Sequence, residues 1–280
     1  MDLNTTHKVI VSLQDEFRLS RAALHALRRM HKLRKLSIQG IPSQFAQLLH
    51  GVSFKLKNFT CTDPLDQRMY RFLDKQREIW ELSVLHPVGP SSPEDVPNSI
   101  LPNLRVLHSI TPDLAAALIP QRPISHLEIH CWNDKEVKDF IPQLRAARSL
   151  KSLLIAQGFK VTAKDLSVIA AHLPLLSYLG ECWLSDSPGD YIPPLSLMRN
   201  LQTLVVSHSS LQDSPLQVQF LQAIRIHCPH IQRVIFSIVL TPFRTWEVVN
   251  GQWAFIEQPS PDLCYHLWCR ESSVRISDTE

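Results

Sequence analysis

Glycine is scarce in this chain, with 7 residues among 280. Phosphate-binding loops, nucleophile elbows and dinucleotide-binding turns all need glycine, because their backbone approaches a ligand closely or turns with positive φ. The patterns G-x-G-x-x-G, G-x-x-x-x-G-K-[ST] and G-x-S-x-G do not occur in the sequence. This shortage argues against most nucleotide-binding and hydrolase chemistries.

Long apolar runs and an excess of one charge are also lacking. No run of 18 consecutive apolar residues occurs and the N-terminal residues lack the pattern of a secretory signal, so we expect no membrane span or signal peptide. The net charge of +3, from 29 basic and 26 acidic residues, disfavours a nucleic-acid binder. We interpret the densest basic cluster as a solvated helix face rather than a phosphate-binding patch: it comprises Arg28, Arg29, Lys32, Arg34 and Lys35.

Cysteine is too sparse for a disulfide framework, since 6 cysteines are scattered along the chain. A reducing compartment, the cytoplasm or the nucleus, is therefore expected. Three groups invite a metal hypothesis: His126, His130 and Cys131; His227, Cys228 and His230; Cys264, His266 and Cys269. On a strand the first two histidines would lie about 13 Å apart, and neither other group has paired C-x-x-C spacing. No serine or cysteine stands in a recognisable nucleophile arrangement, so we expect no catalytic residue, cofactor or metal.

What the chain does have is leucine, at 40 of 280 residues, in a repeated triplet. The triplet is an apolar residue, two residues, an apolar residue, one residue and an apolar residue. Its central positions are separated by 20 to 30 residues, close to the period of a leucine-rich repeat. The nine central residues are Leu36, Phe59, Leu82, Leu107, Leu127, Leu153, Leu179, Leu204 and Val234.

Helical patterns occupy most gaps between the triplets. Capping signals start predicted helices at Asp63, Asn133, Thr162 and Ser214, and helices are also expected over 20–30, 42–50 and 112–119. Two proline-rich gaps, 86–103 and 185–197, are predicted to be extended loops, because proline removes a backbone donor.

This alternation predicts an α/β chain folded as an irregular leucine-rich-repeat solenoid of about nine repeats over residues 1–240. An ordinary doubly wound sheet is the alternative fold. The regular spacing and the missing glycine-rich first turn favour the solenoid.

The pattern changes after Leu240. Asn250-Gly251 between two apolar stretches predicts a hairpin with a two-residue turn, in which Val248 faces Trp253 and Trp246 faces Phe255. We expect residues 241–280 to form a hairpin that covers the last repeat, followed by a tail.

Three segments resemble the repeat region of fungal F-box-like proteins, especially those of mushroom-forming fungi: FLDKQREIWELSV, LPNLRVL and CPHIQRV. The stretch W-x-V-x-N-G-x-W, from Trp246 to Trp253, has the same character. The resemblance implies a substrate-recognition part of an F-box-type ubiquitin ligase receptor. No F-box-like helical module precedes Leu19, and the asparagine ladder of common repeats is missing, so we expect the chain not to bind the ligase adaptor.

The sequence as a whole favours a non-enzymatic protein-interaction scaffold that binds a protein partner on its concave face. Side chains flanking each central residue alternate outward onto that face. Solvent-facing aliphatic residues beside tyrosine and arginine are typical of binding hot spots, and the candidate partner-binding residues are His126, Glu128, Leu154, Tyr178, Val205, Arg233 and Ile235. Three alternatives remain open: burial of these residues by the hairpin, an enzyme on a conventional α/β fold, and a nucleic-acid-binding protein.

Overall fold

A computed structural model describes residues 8–12, 21–39, 49, 51–62, 65–85, 96–109, 111–131, 133–156, 160–207, 211, 214–237 and 244–256. The chain divides into two compact units, Met1–Ile124 and Ser125–Glu280. Both units belong to the α/β class, with mostly parallel strands alternating with helices. The predicted domain boundary at residue 240 rests on the change of sequence pattern after Leu240 and stays a prediction.

The described residues of the first unit form five strands that pair in chain order. The strands are β1 (Lys8–Ser12), β2 (Lys35–Gln39), β3 (Asn58–Cys61), β4 (Glu81–Val84) and β5 (Val106–Ser109). Each pairs in parallel with the next. The described helices are α1 (Arg21–Arg29), between β1 and β2; α2 (Gln67–Asp74), between β3 and β4; and α3 (Pro112–Leu118), after β5.

The second unit continues the alternation and ends in a hairpin. Its strands are β6 (His126–His130), β7 (Ser152–Ala156), β8 (Lys160–Val161), β9 (Tyr178–Leu184), β10 (Thr203–Ser207), β11 (Arg233–Phe236), β12 (Arg244–Val249) and β13 (Gln252–Ile256). Strands β6, β7, β9, β10 and β11 pair in parallel in that order, short β8 also pairs with β9, and β12 and β13 are antiparallel. The described helices are α4 (Asp134–Phe140), α5 (Ala163–His172), α6 (Ile192–Leu197) and α7 (Ser214–His227).

The central residues of the triplets occupy equivalent places in neighbouring strands. In the first unit Leu36, Phe59, Leu82 and Leu107 are aligned in register, and in the second unit Leu127, Leu153, Leu179, Leu204 and Val234 are aligned. Every one of them is at most 2% exposed. The predicted burial of these positions is confirmed within each unit.

A β-bulge accommodates one irregular triplet. The copy around Leu179 ends in Glu181, where an apolar residue is expected. Glu181 has a positive φ of 56°, and the register with β10 shifts so that Val206 faces Cys182. The extra residue keeps the carboxylate off the core, and the Cys182 side chain is buried in its place.

Several predicted helix starts are confirmed by their caps. Thr162 and Asp165 form a reciprocal capping box at the start of α5. At the start of α4, the side chain of Asn133 accepts a hydrogen bond from the backbone N–H of Glu136. The helices expected over 20–30 and 112–119 correspond to α1 and α3, whereas the one expected over 42–50 lies mostly outside the described residues.

One other predicted helix start and one predicted helix face need correction. Helix α2 is capped by Asp66, whose side chain accepts from the N–H of Met69, so it begins three residues later than the Asp63 signal suggested. On α7 the predicted apolar residue Leu216 is exposed, while Gln217 is buried with Phe220 and Ile224. Gln217 donates to the carbonyl of Leu211 at 2.6 Å and thereby faces the core.

The prediction of an extended loop over residues 185–197 is wrong. Residues Pro188–Tyr191 form a 3₁₀ turn, and α6 follows immediately. Pro193 and Pro194 lie in the first turn of that helix, where backbone N–H groups have no intrahelical acceptor, so proline costs no hydrogen bond there. In the other gap residues 86–95 lie outside the described residues, and the rest forms turns.

Strand β1 was not predicted. Val9 aligns with Leu36 in parallel pairing, 27 positions earlier in the sequence. The triplet search missed it because Thr6 stands where the first apolar residue is required. The run Val9-Ile10-Val11 is the signal that was available, since β-branched residues favour strands.

The hairpin prediction is confirmed. Val248 faces Trp253 and Trp246 faces Phe255, and both Asn250 and Gly251 have positive φ. The rings of Trp246 and Phe255 pack edge to face, 5.5 Å between centroids. Strand β12 pairs with β11, so the hairpin extends the sheet beyond the last parallel strand instead of folding over its face.

Replacing Leu153 by alanine tests the buried row. Because Leu153 is fully buried, the change should lower the free energy of unfolding by about 2–5 kcal/mol through lost transfer energy and a cavity. Chemical denaturation measures it. Leu197→Ala is the matched control, because Leu197 is 65% exposed and its loss should cost less than about 0.5 kcal/mol. Equal costs for the two variants would contradict the assigned register.

Tyr191 joins three segments through one hydroxyl group. Its oxygen accepts from the backbone N–H groups of Ser185 and Asp186, each at 2.7 Å, and donates to the carbonyl of Val161 at 2.8 Å. Burial raises the pKa of Tyr191, which keeps the phenol a neutral donor. Asp186 in turn accepts from Ala163 N at the start of α5.

Tyr191→Phe should therefore destabilise the second unit by about 1–3 kcal/mol, because buried partners lose their hydrogen bonds while the ring packing remains. Thermal and chemical unfolding measure the change, and the circular dichroism spectrum of the folded variant should match the parent. An unchanged stability would show that this hydroxyl group is dispensable.

Candidate interaction surfaces

Residues that flank the central positions lie together in rows across neighbouring strands. In the first unit one row contains Lys35, Asn58 and Glu81, and the next contains Ser37, Thr60 and Ser83. In the second unit the rows begin at His126 and Glu128 and run across β7 to β11. The parallel register thus brings together side chains that lie 20 or more residues apart in sequence.

The aliphatic and tyrosine residues of the predicted binding patch are buried, which corrects their expected exposure. Leu154 is 5% exposed, and Tyr178, Val205 and Ile235 are fully buried. Their burial removes the solvent-facing apolar surface on which the prediction depended.

Close packing around Gly180 explains part of this burial. A Cβ atom at Gly180 would lie 2.7 Å from both Leu154 Cδ1 and a ring carbon of Tyr178. Such distances do not occur between real side chains, so the leucine and the tyrosine fill the space that a side chain at position 180 would need. Glycine is required here by close approach, since its φ is not positive.

The charged members of the predicted patch have partners within the second unit. Glu128 Oε1 lies 3.0 Å from His130 Nε2 on the same strand face. Arg233 Nε donates to Glu247 Oε1 at 2.6 Å, from β11 to β12. His126 is buried, with its Nδ1 atom 2.8 Å from the hydroxyl group of Ser125. The seven predicted residues therefore lie on one sheet face. There the two charged residues pair with other side chains, and the remaining five are buried.

The equivalent face of the first unit is polar and partly accessible on β2, β3 and the start of β4, whereas Ser83 on β4 and Val106 and His108 on β5 are buried. We define the open face as Lys35, Ser37, Asn58, Thr60 and Glu81, which are exposed or half-buried. Asn58 Nδ2 donates to Glu81 Oε2, and Glu81 Oε1 lies 3.8 Å from His108 Nε2. The open face therefore offers hydroxyl, amide and charged groups from adjacent strands.

The basic cluster noted in the sequence does not lie on one helix. Arg28 and Arg29 are in the last turn of α1, where positive charge suits the helix dipole. Lys32 and Arg34 follow that helix, and Lys35 begins β2. The interpretation of this cluster as a solvated helix face is correct only for the two arginines within α1.

The four cysteines within the described residues are buried free thiols: Cys61, Cys131, Cys182 and Cys228. Burial, followed by the charges of Glu136 and Glu181, raises the pKa of Cys131 and of Cys182 to about 12. Burial alone raises the pKa of Cys228 to about 11. Because the thiolate is the reactive form, these thiols are poor nucleophiles near neutral pH.

The histidine and cysteine groups differ in their surroundings. Near the end of α7, His227 is exposed, Cys228 donates to the carbonyl of Ile192 at 3.8 Å, and burial lowers the pKa of half-buried His230. Across the described ranges, no three histidine, cysteine, aspartate or glutamate side chains cluster closely enough to hold a metal ion. Cys264, His266 and Cys269 lie outside those ranges. In the same part of the chain no helix is long and apolar enough to cross a membrane.

Comparison with known proteins adds no assignment: a scan against models of protein families found no match, and a search of curated proteins found no significantly similar sequence.

The raised cysteine pKa values give a labelling prediction. Incubation of the folded chain with iodoacetamide at about pH 8 should leave Cys131, Cys182 and Cys228 unmodified, because a buried protonated thiol reacts slowly. The same residues should be alkylated in denaturant, where burial is lost. Mass spectrometry of proteolytic peptides measures modification at each site, and rapid labelling of Cys182 in the folded chain would contradict its assigned burial.

Proposed function

We propose that the chain is a non-enzymatic protein-interaction scaffold whose strand–helix units stack as an irregular leucine-rich-repeat solenoid. The aligned buried residues support the repeat, because each strand–helix unit buries its apolar side chains against its neighbours. Within the described residues, the buried, protonated thiols of Cys131, Cys182 and Cys228 argue against cysteine catalysis. A role in a ubiquitin ligase rests on the sequence resemblance alone.

The observation that carries the proposed function is the contrast between the outward sheet face of the first unit and that of the second unit. In the second unit the outward residues Leu154 and Val205 are buried, whereas in the first unit Ser37 and Thr60 are half-buried at the corresponding positions. Side chains on adjacent strands lie about 4.8 Å apart, so the open face is a continuous polar strip. A rigid sheet that displays such a strip is suited to binding a protein surface, because its groups are already in position.

Substitution on the open face tests the proposal. Ser37→Arg together with Thr60→Arg places two bulky cations on the strip without filling the core. We expect roughly tenfold or greater loss of the proteins captured from a lysate of the native cell, measured by quantitative mass spectrometry. The melting temperature should stay close to that of the parent.

Gln219→Arg together with Gln222→Arg is the matched control, because both glutamines are exposed on α7 in the second unit. This control should retain the captured proteins. Undiminished capture by the open-face variant, with both variants folded, would overturn the proposed binding surface.

A further inference from the structure

The turns that lead into β2, β3 and β4 carry a concentration of basic side chains. We define the basic rim as Lys32, Arg34, Lys55, Lys57, Lys75 and Arg77, of which all but half-buried Arg34 are exposed. Backbone hydrogen bonds hold successive turns side by side: Lys57 N donates to Arg34 O at 2.8 Å, and Trp80 N donates to Lys57 O at 3.0 Å. The rim thus has a fixed spacing, set by the strand register.

Two carboxylates lie among these six cations, and each has a partner. Glu78 pairs with Arg34 at 3.3 Å, and Asp74 accepts a hydrogen bond from the hydroxyl group of Ser99 at 3.3 Å. Lys55 Nζ donates to the carbonyl of Lys75 at 3.1 Å, which holds its ammonium group at the C-terminal end of α2. The local balance is therefore strongly positive although the whole chain carries only +3.

A pocket of about 480 Å³ opens within the basic rim. Its walls include the apolar residues Leu49, Val52 and Phe72. Its charged lining is mixed, with the cations Lys55, Lys75 and Arg77 and the carboxylates Asp74 and Glu78. Gln76 also lines it, but the amide of that buried residue is already used, accepting from Leu56 N and donating to Phe54 O. The pocket therefore offers an apolar lining next to cationic groups, with room for an aliphatic side chain.

We propose that the basic rim binds an acidic peptide segment of a protein partner, with one aliphatic side chain of that segment in the pocket. Carboxylate or phosphate groups of the segment would pair with Lys55, Lys57 and Arg77. The proposal rests on the proposed function in that the partner is a protein. It concerns a surface distinct from the open face, so the two can fail separately.

A peptide fits this surface better than a nucleic acid does. A nucleic-acid backbone presents phosphates at regular short intervals, and affinity depends on many of them meeting cations. Asp74 and Glu78 interrupt the rim and would repel such a continuous row. A peptide avoids them by placing its acidic residues only where cations lie, and it supplies the aliphatic side chain that the pocket fits.

The test uses fluorescence anisotropy with the full chain and a short labelled peptide of aspartate and glutamate with one central leucine. Lys55→Glu together with Arg77→Glu should weaken binding by about tenfold or more, because two attractions become repulsions. Binding to the parent should weaken as salt is raised. Replacing the central leucine of the peptide by alanine should also weaken binding, if the pocket holds that side chain.

Lys135→Glu together with Lys138→Glu is the matched control, since both lysines are exposed on α4, and it should bind like the parent. Lys55→Gln together with Arg77→Gln removes the two charges without reversing them, which lowers the risk of misfolding. This variant should lose less affinity for the peptide than the charge-reversed variant. Equal binding by parent and reversed variants would overturn the proposal, as would tighter binding of a single-stranded oligonucleotide of similar length. If the rim variants bind normally while the open-face variant loses capture, this proposal fails and the proposed function survives.

Discussion

The register of the parallel strands is the constraint on which the rest of this structure depends. Side chains alternate between the two faces of a strand, so a slip of one residue would exchange buried and outward rows completely. Leu36, Phe59, Leu82 and Leu107 are held in one row by backbone hydrogen bonds between adjacent strands. The same bonds align the turns before each strand. Core, open face and basic rim are therefore three consequences of one pairing pattern.

Features set by local chemistry were readable from the sequence. The capping box of Thr162 and Asp165 needs only residues three apart, and the turn at Asn250-Gly251 fixes its own hairpin register. The triplet spacing identified nine strands because each triplet must bury the same side chains. Tolerance of proline was harder to read. Proline breaks the interior of a helix but fits its first turn. The sequence alone does not show that Pro193 and Pro194 occupy a first turn.

The exposure of the candidate binding residues was predicted wrongly because alternation gives the side of a strand and not what covers that side. A further signal was present. The strand Ser152–Ala156 reads SLLIA and is buried at every position, while Asn58–Cys61 reads NFTC and alternates between half-buried and buried. Continuous apolar runs are typical of strands buried on both faces, and alternating runs of strands with one accessible face. By this criterion the strand Ser152–Ala156 should have been assigned two buried faces and the strand Asn58–Cys61 one accessible face.

The net charge of the whole chain was also misleading, because it averages over two parts of different charge. Residues 1–124 contain 16 lysines and arginines against 11 aspartates and glutamates, whereas residues 125–280 contain 13 against 15. The sum of +3 hides this difference, and it also hides how charge is distributed within the first unit. Since screening limits exposed charges to a range of about 10 Å, a partner responds to the local balance. The turns before successive strands place Lys32, Lys55 and Arg77 in neighbouring strand–helix units, so a nearly neutral chain presents a concentrated positive edge.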